Sequence, residues 1–135
     1  MSDEIQLMEA SLIAVADSGV EIRHALFERF FAAYPDRRAS FYNLEAASRR
    51  MTDETLQMMF GLASDERWVW PLAAELVFTH RNYGALPMEE YDAFITMTID
   101  ELGHAAGDSW SAACDTAWRK QGERLKNLII KAQEG

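Results

Sequence analysis

The sequence predicts an all-α fold, six or seven helices in one domain spanning residues 1–135, and three observations carry that prediction. Apolar residues recur at three- and four-residue spacing almost throughout. No segment alternates with the period of two that marks a half-buried strand. Helix start and stop signals at Gly19, Pro35, Pro71, Gly84 and Pro87 divide the periodic stretches. With 49% hydrophobic and 26% charged residues, the chain has the balance of an ordinary globule with a substantial core.

Each element has its own justification. Ile5, Met8, Leu12 and Val15 give a first helix ending near Ser18-Gly19. Ile22, Leu26, Phe27, Phe30 and Phe31 mark a second, stopped before Tyr34-Pro35 because a residue preceding proline avoids helical geometry. A short third runs from Asp36 toward Phe41. Met51, Thr55, Met58, Met59 and Leu62 form another stripe, and Trp68-Val69-Trp70 reads as an apolar linker. Pro71 suits the first position of the helix carrying His80, and Gly84 is its stop. Pro87 opens the next helix, with Glu89 and Glu90 in its acidic first turn and Tyr91, Phe94, Ile95, Thr98 and Leu102 on its apolar face. Gly103 to Gly107 reads as an interruption. Asp108-Ser109 is placed to cap a long last helix, along which Trp110, Ala113, Ala117, Trp118, Leu125, Leu128 and Ile129 recur.

Composition excludes several classes of function. A net charge of -9 argues against nucleic acid and anionic membrane surfaces, both of which demand cations. No run approaches the ~18 uncharged apolar residues of a membrane span, and the acidic start Met1-Ser2-Asp3-Glu4 is unlike a secretory signal. Cys114 stands alone, so an internal disulfide and a covalent haem attachment are both ruled out, and a cytoplasmic location is expected. No Ser/His/Asp order, phosphate loop or zinc-ligand cluster stands out, so no catalytic residues are assigned. His24 and His104 read as surface or boundary residues, and Cys114 as a small buried apolar one.

One pattern is more specific. His80 sits near the end of its helix in Leu76-Val77-Phe78-Thr79-His80-Arg81-Asn82-Tyr83-Gly84, one turn after Leu76 and on the same face. Thirty-nine residues upstream of it, Phe41 follows Pro35 by six positions. Phe27 lies eight residues before Pro35, and Pro87 and Tyr91 follow His80 at a helix start. In order and spacing this set resembles the globin family, over roughly Ile22 to Leu128.

The resemblance implies a globin fold packed around a pocket for haem b, with His80 as the iron ligand and a diatomic gas (O2, NO or CO) on the opposite face. It further implies that Phe41 stacks on the porphyrin, that Leu76, Tyr83 and Phe94 wall the pocket, and that Phe27 faces the distal side. Thr79, Tyr83 or Tyr91 could partner the second imidazole nitrogen. Arg37, Arg38, Arg49, Arg50 and Arg81 would supply a cationic edge for the propionates. Met51 falls at the distal gate position, or Glu54 if the preceding loop is three residues longer, with Thr55 or Met58 one turn on. Flavohaemoglobins and many truncated globins, which the chain resembles here, carry tyrosine at the position matched to Phe27. Phenylalanine cannot hydrogen-bond a bound gas, and one such bond of about 1–3 kcal/mol changes affinity roughly 5- to 150-fold. Sustained NO dioxygenation or peroxidase-like turnover would need a separate reductase, and that or a homodimer mate is the expected protein partner. The alternative is a haem-free globin fold serving as a regulatory or interaction module, its interior filled by side chains.

Overall fold

In the computed structural model, which describes residues 3–81 and 86–134, the chain is helical nearly throughout. The order is α1 (Asp3–Ser18), α2 (Ile22–Ala33), a 3-10 segment (Pro35–Ser40), α3 (Leu44–Ala63), α4 (Val69–Arg81), α5 (Met88–Ala106), a 3-10 turn (Gly107–Ser109) and α6 (Ala112–Glu134). No strand occurs among the described residues. The long helix α6 packs against α1, α3, α4 and α5, while α2 lies across α5. The layout is helix on helix, each element burying one stripe.

The core has two parts. The larger gathers Met8, Met59, Val69, Ile99, Leu102, Trp118 and Leu125 from five helices. Its centre is the Trp118 ring, fully buried, whose Nε1–H donates to Ser11 Oγ at 2.9 Å, while that hydroxyl donates to the Met8 carbonyl at 2.6 Å. The smaller part is aromatic and lies at the other end of α2, built from Leu26, Phe27, Phe30 and Phe94 with Phe31, Phe41, Leu44, Met51 and Met97 around it.

Four boundaries differ from the sequence reading, each for a local reason. α3 starts two turns earlier than its methionine stripe, because the Asn43 side chain accepts the Ala46 N–H at 3.1 Å and caps it. Trp68-Val69-Trp70 is not a linker throughout: Val69 already belongs to α4 and is fully buried, and Pro71 is the third helical residue. Proline is tolerated there because first-turn N–H groups have no intrahelical partner. Gly103 continues α5 rather than breaking it. A Cβ at that position would stand 3.2 Å from Trp110 Nε1, so the glycine makes room for the ring. The actual stop is Gly107, at φ +56. Finally, Ser111 rather than Asp108-Ser109 caps α6, its Oγ accepting the Cys114 N–H at 3.0 Å. Gly84, read as the stop of the His80 helix, lies outside the described residues.

Candidate functional site

His80 is half-buried in the last turn of α4. Its Nδ1 lies 2.9 Å from the Leu76 carbonyl one turn back. A carbonyl only accepts, so Nδ1 carries the proton and the neutral ring holds its lone pair on Nε2. Burial pushes the His80 pKa below its ordinary value, opposed by the Leu76 hydrogen bond and assisted by the positive charge of Arg50. The result is a neutral imidazole with a fixed tautomer. Thr79 does not partner the ring, because it is exposed and the backbone has already taken Nδ1. Tyr91, from α5, meets the imidazole edge-on at a centroid distance of 5.6 Å and so forms wall rather than hydrogen-bond partner.

The phenylalanines expected in the same pocket form a separate cluster of which His80 is not a member. Phe27 lies 5.8 Å from Phe41 and 5.4 Å from Phe94, both edge-to-face, and Phe31 stands 5.5 Å from Phe41. Edge-to-face pairs of this kind add about 0.5–1.5 kcal/mol each beyond area burial, which holds Phe41 at the end of its 3-10 segment. Met51 packs onto the same cluster from α3. Thr55 is buried one turn on, and its hydroxyl donates to the Met51 carbonyl at 2.7 Å. Its only proton is therefore already engaged. Glu54 is half-buried at the neighbouring position. On their outer side Phe27 and Phe31 help to line a cleft of about 430 Å³ with Arg23, Arg38 and Leu44.

Two helices contribute residues to both regions. Tyr91 and Phe94 sit three residues apart on α5, one against His80 and the other against Phe27. On α3, Arg50 is close enough to influence His80, and the adjacent Met51 reaches the phenylalanines. Leu76 packs at the edge of the larger core, where its carbonyl holds the imidazole. Tyr83 lies outside the described residues.

The arginines do not form one cationic edge. Arg37 makes a two-pronged pair with Glu90, at 2.6 and 2.8 Å, linking the 3-10 segment to α5. Arg38 lies over the Phe31 ring and Arg49 pairs with Glu45. Arg81 directs one NH2 group to the carbonyls of Ala132 and Gln133, at 3.3 and 3.1 Å, near the end of α6. Sequence reasoning read Glu90, which is 7% exposed, only as a dipole-favoured first-turn acid and missed its pairing. It also missed Arg23, a buried cation held by Glu21, Glu45 and Ser48. Carboxylates two residues before and 22 after it carry no periodicity that could have announced the cluster.

A single imidazole cannot hold a bare metal ion. Among the described residues no three His, Cys, Asp or Glu side chains gather into a metal-binding group. No protein-family model matches the chain, and no curated protein matches it.

Proposed function

We propose that the chain is a globin that binds haem b through His80 and reversibly binds a diatomic gas. The observation that carries this reading is the Nδ1–H bond from His80 to the Leu76 carbonyl, which leaves Nε2 available in a neutral ring. Haem would supply an iron centre able to take a gas as its sixth ligand. Every other contribution comes from the side chains. Leu76 orients the imidazole through its carbonyl, and burial keeps the ring unprotonated. Phe27, Phe41, Phe94 and Met51 supply an apolar wall that excludes water. With phenylalanine at position 27 and the Thr55 proton on a backbone carbonyl, the wall offers a bound gas little hydrogen bonding. This favours NO or CO over tight oxygen storage. The chain would act as a sensor or carrier in the cytoplasm, not as an enzyme, with any turnover dependent on a separate reductase.

Titrating the purified chain with haemin tests this. A sharp Soret band at one equivalent is expected. His80→Ala abolishes or broadens it, and His80→Gly regains it with added imidazole. A spectrum identical in wild type and both variants removes His80 from its role.

The haem-free interaction module has one observation in its favour: the rings of Phe27, Phe31, Phe41 and Phe94 already meet one another at 5.4–5.8 Å. A chain that takes up no haemin, and whose melting temperature haemin leaves unmoved, would favour this second reading, since a ligand that binds the native state must stabilise it.

A further inference from the structure

A separate cavity of about 210 Å³ lies beside the His80 helix, lined by Val77, Arg81, Leu86, Tyr91 and Gln133. Val77 and Leu86 give it apolar walls. Its polar groups remain underused. Arg81 binds two carbonyls through one NH2 group, which leaves Nε and the second NH2 group without a bond among the described residues. It also has no carboxylate partner there, in a chain where 22 acidic residues face 13 basic ones. Tyr91 is 8% exposed, and its phenol has no hydrogen-bond partner among the described residues. The Tyr91 pKa is pushed up to about 12 by burial and eased by the charge of Arg81, so cation and phenol converge on one space. Gln133 gives its Nε2–H to the Leu86 carbonyl at 3.0 Å and keeps its amide oxygen.

We propose that this cavity binds a small monocarboxylate, its carboxylate held by the Arg81 guanidinium and the Tyr91 hydroxyl and its apolar body between Val77 and Leu86. An apolar cavity of ~150 Å³ accommodates benzene, so this space takes a six-membered ring bearing one carboxylate. The Arg81 guanidinium and the Tyr91 hydroxyl face the same space with hydrogen bonds to give, and one carboxylate accepts from both. The ring of Tyr91 also meets His80, so on the haem reading occupancy would be felt at the imidazole. The seat itself does not need haem, and its test is independent of the Soret measurement.

Benzoate is the probe, titrated calorimetrically into the purified full chain, with benzamide as the uncharged control. Saturable one-to-one binding of benzoate is expected. Benzamide, and benzoate with Arg81→Gln, should bind about 10- to 100-fold more weakly, the worth of a charge-assisted hydrogen bond. Arg81→Gln also alters the contact with α6, so a second variant is needed. Leu86→Trp fills the cavity while leaving Arg81 in place, and it should abolish binding with an unchanged helical spectrum. Three results would overturn the proposal: no binding to the wild type at millimolar benzoate, equal binding of benzamide, or benzoate binding that survives both substitutions.

Discussion

The surroundings of Trp118 and those of His80 are built on opposite terms. Around Trp118 the polar groups answer one another: the indole donates to Ser11, Ser11 to the Met8 carbonyl, and Arg124 to Gln121 Oε1. Two salt bridges on Asp100 clamp α2 and α6 onto α5 from outside, through Arg29 and Arg119. Although burial pushes the Asp100 pKa up, these two guanidinium groups hold it below the ordinary value. Around His80 the polar atoms keep spare capacity, as Nε2 of the imidazole, the Tyr91 phenol and the outer edge of Arg81 all do. Satisfied groups stabilise a fold, and unsatisfied ones are available to a ligand. The contrast separates a region whose polar groups are spent on the fold from one whose polar groups are not.

Substitutions can break or sharpen this contrast. Trp118→Ala empties the centre of the larger core and removes the partner of Ser11, so a loss of about 3–5 kcal/mol in urea unfolding is expected. A loss below about 1 kcal/mol would dissolve the distinction. Glu90→Gln leaves Arg37 without its charge partner. Because Arg37 is one-third exposed, the expected cost is only about 1–3 kcal/mol by the same measurement. The hydroxyl of Thr52 is the one buried side-chain polar atom without a partner among the described residues. Thr52→Val should therefore stabilise the chain by up to about 1 kcal/mol, seen as a raised melting temperature. Any loss there would mean the hydroxyl is satisfied in solution.

The smallest effect concerns pH. His80 has a lowered folded pKa, so the folded chain binds fewer protons than the unfolded one just below the free-histidine value. The stability it contributes is present above about pH 6.5 and is lost as pH falls through the folded pKa. His80→Gln should narrow the drop in melting temperature between about pH 7.5 and about pH 5.5. An unchanged drop would place the imidazole in water.

The helices were legible because their apolar stripes are local and repeat at helical spacing. The globin resemblance set Phe27, Phe41 and Phe94 around a haem; in the fold the Phe27 ring meets the other two directly, a contact the sequence did not announce. The Arg37–Glu90 pair was not legible, since 53 residues separate the two charges and each had a local explanation, Arg37 as part of a cationic edge and Glu90 as a first-turn acid. Gly103 misled for a related reason: glycine reads as a stop in sequence, whereas here a ring seven residues on requires the missing Cβ. The tautomer of His80 needed coordinates, because i to i−4 spacing permits the Leu76 bond without requiring it.

Arg81 and Leu86 are both fastened to the final turns of α6, the first through two backbone carbonyls and the second through the amide of Gln133. The last turns of α6 thus work as a clasp on Arg81 and Leu86. Trimming the last few residues should disturb the neighbourhood of position 80 before it disturbs the helices beneath.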